Sequence, residues 1–277
     1  MRNTLILFLL LNTVTVWGQS LLDGTEDVVK QVELLNLKNQ DDKSLEILNQ
    51  ALKNPANGPD DLIYLNTFKS GILLERDSLK LGSQAVDVVI QQLDKTNSPV
   101  SRAMALRARA FLNSYLNLTD EVIKDSKEAL KLLENEKNVD NLNYYFNYLI
   151  YATYTGWDEN DKMQHYIQEC DKYAKKTNNK NYIANVHLGY ASVYLNRYRK
   201  TNEQKDIDNN FYHLEKAYQL FEQFPAEVSS NTFVVASINL ANYYLEFDKA
   251  PIAKRKEQAY KYLDEAEIEL KNERARF

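Results

Sequence analysis

The sequence reads Ala191-Ser-Val-Tyr194 and then Leu214-Glu-Lys-Ala217, and the same order returns as Ala241-Asn-Tyr-Tyr244 and Leu263-Asp-Glu-Ala266. Each time, a small residue and a tyrosine three positions apart precede a leucine and an alanine three positions apart. Residues with this spacing are neighbours on one face of an α-helix. Small side chains there let two helices approach closely, so these stretches predict two consecutive helix hairpins.

Comparable pairs extend this pattern toward the N-terminus. On the second helix of each hairpin they are Leu48/Ala51, Val86/Val89, Ser126/Ala129, Ile167/Cys170, Leu214/Ala217 and Leu263/Ala266. The second members are separated by 38, 40, 41, 47 and 49 residues. A roughly regular interval of this size is typical of helical repeats that stack on one another. The sequence therefore predicts an α-solenoid of about six helix-turn-helix hairpins.

The other segments of the chain also carry a helical period. Apolar residues recur at spacings of three and four, and no segment shows the two-residue alternation of a strand. Helices are predicted at residues 41–52, 119–134, 141–157, 159–176, 181–198, 204–224, 228–247 and 253–274, and others begin near residues 60, 83 and 99. We predict an all-α fold.

The composition excludes several other classes of protein. Gly and Pro number only 7 and 5 among 277 residues, which argues against turn-rich β-folds, Rossmann sheets and glycine-rich nucleotide loops. The formal net charge of −5 provides no electrostatic surface for nucleic acid. After the N-terminus no apolar stretch of about 18 residues occurs, so we expect no membrane span in the mature chain.

The N-terminus has the pattern of a cleaved secretory signal peptide. Arg2 precedes an apolar run, and Val16 and Gly18 stand at positions −3 and −1 of a cleavage site that would leave Gln19 first. An uncleaved anchor helix is the alternative, but the run is shorter than the roughly 20 residues that a span requires. We expect a signal peptide at 1–18, a helical-repeat domain at 19–277, and export to the periplasm or the exterior.

Residues that could carry catalysis or bind a metal are few and scattered. His165, His187 and His213 stand 22 and 26 residues apart without an HExxH or HxxxH spacing, so a helix-borne zinc site is not supported. Cys170 occupies a position that alanine fills in other hairpins, which favours a packing role. Neither GxSxG nor GxxxxGKS/T occurs. The sequence therefore predicts a protein that is not an enzyme and has no cofactor and no metal.

In the pattern of these hairpins, the chain resembles the tetratricopeptide repeat family. That family has a small residue and an aromatic residue three apart on the first helix, and a bulky residue and an alanine three apart on the second. The resemblance covers residues 25 to 275 and implies a right-handed superhelix. The chain departs from the family in its longer period, in the absence of the first-helix tryptophan, and in the loss of most closing prolines.

The resemblance also implies where a partner binds. In this family the first helices line the concave face, and positions offset from the buried small–aromatic pair point into it. In the last two hairpins these positions are Asn185, Leu188, Ser192, Leu195, Asn196, Ile238, Asn242 and Leu245. Asparagine side chains there would donate to and accept from an extended peptide backbone.

Two functions remain open at this point. The first is an exported, non-enzymatic scaffold that binds a peptide or an envelope protein in its concave groove. The alternative is the periplasmic sensor segment of a bacterial transcriptional regulator or kinase, in which a membrane helix and an output module would follow. That alternative requires the present chain to be truncated.

Two further patterns carry expectations about surfaces. Of the 19 tyrosines, 17 lie from Tyr144 onward, and they serve either as packing for long hairpins or as an aromatic surface for a peptide or glycan. In the last helix, Ala259, Leu263, Ala266 and Leu270 predict the buried stripe. The opposite side is charged, which suits a terminal cap.

Overall fold

The computed structural model describes residues 24–37, 40–157 and 159–275, with side chains described as far as residue 271. Its helices are α1 (Thr25–Asn36), α2 (Asp41–Ala51), α3 (Pro59–Glu75), α4 (Leu79–Ile90), α5 (Pro99–Tyr115), α6 (Thr119–Leu133), α7 (Asp140–Thr155), α8 (Asn160–Thr177), α9 (Lys180–Thr201), α10 (Gln204–Gln223), α11 (Ser230–Glu246) and α12 (Ile252–Ala275). A 3₁₀ turn occupies Leu93–Lys95, and the described residues contain no strand. The predicted all-α class is confirmed. The predicted signal peptide at 1–18 lies outside these residues.

The chain divides into two compact units, Met1–Thr153 and Tyr154–Phe277, and the division falls inside α7. In unit 1, α1 packs on α2, α3 on α4 and α5 on α6, while α1 also contacts α3 and α3 contacts α5. Side chains fix these pairs. Ser44 Oγ donates to Asn36 Oδ1 at 2.8 Å between α2 and α1. Arg109 on α5 donates two hydrogen bonds, of 2.9 and 2.7 Å, to the Asp125 carboxylate on α6.

Unit 2 repeats the arrangement with longer helices. The pairs α9–α10 and α11–α12 pack together, and α8–α9, α10–α11 and α9–α11 are also in contact. Asn210 Nδ2 on α10 donates to the Ala191 carbonyl on α9 at 2.8 Å. Both units are therefore built from helix hairpins in chain order. None of the helices in the described ranges is long and apolar enough to span a lipid bilayer.

The predicted small–bulky pairs lie at the contacts between helices. Val86 and Val89 of α4, Ile167 and Cys170 of α8, and Leu214 and Ala217 of α10 are buried. The first-helix members Gly71, Ala108, Ala191 and Ala241 are buried as well. The hairpin register read from the sequence is therefore confirmed in these helices.

Asparagine and aspartate end several helices in the place where glycine is usual. Asp77, Asn117, Asn178 and Asn202 follow α3, α5, α8 and α9, and their φ values lie between 52° and 57°. This left-handed conformation costs an asparagine or aspartate less than other residues with a side chain, because the short polar group bonds locally. The chain therefore makes tight connections with few glycines.

The buried stripe of α12 differs from the prediction. Ala259 and Ala266 are buried as expected, and Tyr262 is buried between them. Leu263 and Leu270 are each 37% exposed, so the prediction that they belong to the buried stripe is wrong. The helix is held in this rotation by Tyr218 Oη, which donates to Glu265 Oε2 at 2.7 Å.

Candidate functional site

Two helices of unit 2, α9 and α11, carry the residues that the sequence predicts to bind a partner. Buried polar side chains join the N-terminal ends of these two helices. The Ser229 N–H donates to Asn181 Oδ1 at 3.0 Å. Thr232 Oγ1 lies 3.1 Å from Asn181 Oδ1 and 2.9 Å from Asn185 Oδ1, so the two amide oxygens share the single proton of this hydroxyl. We call Asn181, Asn185, Ser229 and Thr232 the polar knot. It fixes where α11 begins relative to α9.

An aromatic contact joins the other ends of the same two helices. The rings of Tyr198 on α9 and Phe247 after α11 pack edge to face, with centroids 5.4 Å apart. Because both the N-terminal and the C-terminal ends are adjacent, α9 and α11 run in the same direction. Six of the predicted binding residues lie between these two contacts along α9 and α11. We call this set, Ser192, Leu195, Asn196, Ile238, Asn242 and Leu245, the α9–α11 face.

Two of the eight predicted binding residues do not belong to this face. Asn185 is 2% exposed because its side chain is part of the polar knot, and Leu188 is buried in the apolar core of unit 2. The prediction that these two side chains point into an open groove is therefore wrong. The resemblance to tetratricopeptide repeats indicates which residues of a first helix share a face. It does not show how closely the first helix of the following hairpin covers them.

The other six predicted residues are at least partly accessible. Asn242 and Leu245 on α11 are exposed, while Ser192, Leu195, Asn196 and Ile238 are half-buried. Ser192 Oγ donates to the Leu188 carbonyl at 3.2 Å, and Asn196 Nδ2 lies 3.6 Å from Met163 Sδ. The face therefore combines amide and hydroxyl groups with apolar side chains on two parallel helices. Binding of a partner by these residues stays a prediction.

A histidine pair that the sequence analysis did not identify lies elsewhere in unit 2. His187 Nδ1 on α9 and His213 Nδ1 on α10 are 2.8 Å apart, so one ring donates and the other accepts. The His213 ring also stacks with Tyr190 and Tyr194, at centroid distances of 5.0 and 5.5 Å. No spacing rule connects histidines 26 residues apart, so the pair could not be predicted from the sequence.

Burial favours the neutral form of both histidines. It lowers the pKa of His187 to about 4, with further lowering from His213, Lys216 and Lys175, while Asp171 acts in the opposite direction. Burial also lowers the pKa of His213, against the effect of Asp171. The pair is therefore uncharged at neutral pH. Among the described residues, no group of three or more His, Cys, Asp or Glu side chains is placed to hold a metal ion.

Unit 1 contains a buried arginine that the sequence analysis also did not identify. The Arg107 guanidinium carbon lies 4.9 Å from the Phe68 ring centroid and 4.5 Å from that of Tyr145. Its Nη1 atom is buried without a hydrogen-bond acceptor among the described residues. Burial raises the pKa of the nearby Glu75 carboxyl well above its usual range, an effect that Arg107 opposes. This cluster links α3, α5 and the first part of α7.

Cys170 and most of the tyrosines take part in packing. Cys170 is buried, and burial raises the pKa of its thiol well above the usual range, which opposes formation of a reactive thiolate. In the second half, Tyr212 and Tyr260 have exposed side chains, while Tyr144, Tyr145, Tyr148, Tyr151, Tyr154, Tyr182, Tyr218 and Tyr262 are buried. The packing interpretation therefore accounts for many of the tyrosines.

Comparison with known proteins adds information about the fold alone. No protein-family model matches the chain, and no curated protein matches it. The crystal structure of BtubC (BKLC) from P. vanneervenii is similar to it, with a TM-score of 0.55 and 15% sequence identity over 87% of this chain and 91% of that chain. The similarity supports the helical-repeat architecture.

Proposed function

We propose that the chain is a non-enzymatic scaffold, similar to tetratricopeptide repeat proteins, that binds an extended segment of a partner protein on the α9–α11 face. The observation that carries this proposal is that accessible amide and apolar side chains lie on two parallel helices, α9 and α11, whose ends are in contact. A face held in this way loses little conformational entropy when it binds, so more of the contact energy appears as affinity.

The chemistry of the face suits an extended peptide. The amides of Asn242 and Asn196 each supply two donor hydrogens and an acceptor oxygen, which a peptide backbone can match. Leu245, Leu195 and Ile238 supply apolar contacts for side chains of the same segment. Main-chain hydrogen bonds and apolar contacts together are a recurring mode of peptide recognition.

We also propose that the protein acts outside the cytoplasm. The N-terminal pattern supports cleavage after Gly18 and release of the mature chain into the periplasm or the exterior. N-terminal sequencing of the protein recovered from the exported fraction of an expressing cell tests this. Gln19 is the expected first residue, and a chain that retains Met1 would contradict the proposal.

The binding proposal can be tested with a library of random dodecapeptides displayed on phage. Selection against the full chain should enrich peptides, and fluorescence anisotropy then measures the affinity of one labelled, enriched peptide. We expect Leu245→Asp to weaken binding at least about tenfold, because it places an unpaired charge in the contact. Asn242→Ala should weaken it severalfold by removing hydrogen bonds.

Matched controls separate this face from the rest of the surface. Leu116 on unit 1 is 43% exposed and Leu245 is 41% exposed, so Leu116→Asp introduces the same change at a similar exposure. Gln223→Ala removes an exposed amide from the end of α10. Both control variants should bind as the original chain does. The proposal is wrong if no peptide is enriched, or if Leu245→Asp and Leu116→Asp bind equally well.

A further inference from the structure

The last helix, α12, presents a regular row of residues that faces away from the rest of the described structure. The row is Ala253, Lys256, Tyr260, Leu263, Glu267 and Leu270, and all six are exposed. Their spacing of 3, 4, 3, 4 and 3 is the spacing of the a and d positions in a coiled coil. We call this row the outer seam of α12.

Contacts on the opposite side of α12 determine that the outer seam is free. Glu265 accepts from Tyr218, and Glu269 Oε1 accepts from Ser230 Oγ at 2.6 Å. Tyr262 is buried on that same side. These contacts fix the rotation of the helix, so the leucines of the seam cannot turn inward without breaking them. The seam therefore keeps Tyr260, Leu263 and Leu270 in contact with water.

We propose that the outer seam binds the same seam of a second copy of this chain, with the two α12 helices antiparallel. Centred between residues 261 and 262, the pairing places Lys256 of each copy opposite Glu267 of the other. It also places Tyr260 opposite Leu263, and Leu270 opposite Ala253. Each a position then faces a d position, as antiparallel coiled coils require, and a large side chain faces a smaller one.

Charge selects the antiparallel arrangement over the parallel one. In a parallel pair Lys256 would face Lys256 and Glu267 would face Glu267, which places like charges in contact. The antiparallel pair instead contains two Lys256–Glu267 pairs related by the two-fold axis. Glu267 also pairs with Lys271 of its own helix at 2.6 Å, and the Glu267 side chain is 62% exposed.

The extent of the seam suits a reversible dimer. From Ala253 to Leu270 the helix is about 26 Å long, so the contact contains a few apolar pairs rather than a large core. Such an interface belongs to the small, transient class. It uses α12 and is independent of peptide binding on the α9–α11 face, and each proposal can fail without the other.

Sedimentation equilibrium of the full chain tests the proposal. At about 100 μM, where a contact of micromolar affinity is saturated, we expect the molar mass of two chains. Lys256→Glu and Glu267→Lys should each raise the dimer dissociation constant about tenfold, since each creates two like-charge contacts in place of two opposite-charge pairs. The double variant should restore the original value, because it exchanges the charges of each pair.

Two substitutions on the same helix provide the apolar test and its control. Leu263→Asp should leave the monomer folded, because the side chain is already partly exposed, and should abolish the dimer. Ile268 is 57% exposed but lies outside the seam, so Ile268→Asp should leave the dissociation constant unchanged. The proposal is overturned if the original chain is monomeric at this concentration. It is also overturned if Leu263→Asp still dimerises, or if the double charge exchange does not restore association.

Discussion

The Nδ1 atoms of His187 and His213 lie 2.8 Å apart, and burial keeps both rings neutral. The pKa of His187 is lowered from its ordinary value of 6.5 to about 4. Its stabilising contribution is therefore complete above pH 6.5 and is lost as the pH falls from 6.5 toward 4. We expect about 2 kcal/mol of acid destabilisation from this residue, after allowance for its partial exposure. Urea unfolding at pH 7 and at pH 4.5 measures it.

His187→Phe should remove this part of the pH dependence of stability. The loss of stability that other groups cause in acid should remain. His165 is an exposed histidine on α8, and His165→Phe serves as the matched control for the replacement of an imidazole by a phenyl ring. An original chain whose stability changes with pH in the same way as that of His187→Phe would contradict the assignment.

The polar knot predicts that Asn185 acts in stability rather than in binding. Asn185→Ala leaves the Thr232 hydroxyl with fewer acceptors in a buried site, so we expect a loss of about 1–3 kcal/mol in the free energy of unfolding. Asn242→Ala, at an exposed position of the neighbouring helix, should change that quantity by less than about 0.5 kcal/mol. Equal effects of the two substitutions on urea unfolding would show that the knot does not contribute.

The left-handed turns predict an unusual response to glycine. Asn117 follows α5 with φ of 57°, so Asn117→Gly should be neutral or slightly stabilising, and Asn117→Ala should destabilise by about 1 kcal/mol. Asn97→Ala is the matched control, because Asn97 is exposed and is not among the residues with positive φ. Thermal unfolding followed by circular dichroism measures these changes. If Asn117→Ala does not lower the stability, the left-handed conformation does not disfavour alanine at this position.

The charge of Arg107 should be less important than its volume. A buried guanidinium with an unsatisfied N–H carries a desolvation cost that two aromatic faces only partly offset. We therefore expect Arg107→Met to lie within about 1 kcal/mol of the original stability, whereas Arg107→Ala loses about 3 kcal/mol through the cavity it leaves. Arg102→Met, at a half-buried position of the same helix, controls for the loss of an arginine. A large loss in both Arg107 variants would mean that the cation itself stabilises the site.

The hairpins could be predicted because their signal is local. Ala191 and Tyr194, or Leu214 and Ala217, lie within one turn of a helix, and their spacing alone indicates a shared face. The rotation of α12 could not be predicted in this way. Tyr262 and Leu263 are adjacent in sequence, and each fits a stripe with Ala259 and Ala266. The hydrogen bond from Tyr218 to Glu265 selects Tyr262 as the buried residue. No sequence rule predicts that hydrogen bond.

The candidate face was only partly predictable for a related reason. Asn185 and Asn242 are both predicted binding residues on first helices, yet Asn185 is buried against Thr232 and Asn242 is exposed. Asn185 is buried because α11 places Thr232 against it. A single sequence does not show which side chains a following helix brings to a given residue. The His187–His213 pair depends on the same kind of information, because two rings on different helices meet only after those helices have packed.

Within each unit, the main contacts between described helices join helices that are one or two apart along the chain. Contacts of this kind have short sequence separations, and a low contact order is associated with fast folding. A hairpin such as α9–α10, with only two residues between its helices, can nucleate on its own and then serve as a template for the following pair. Refolding should therefore be rapid, and it should depend little on which end of the chain becomes ordered first.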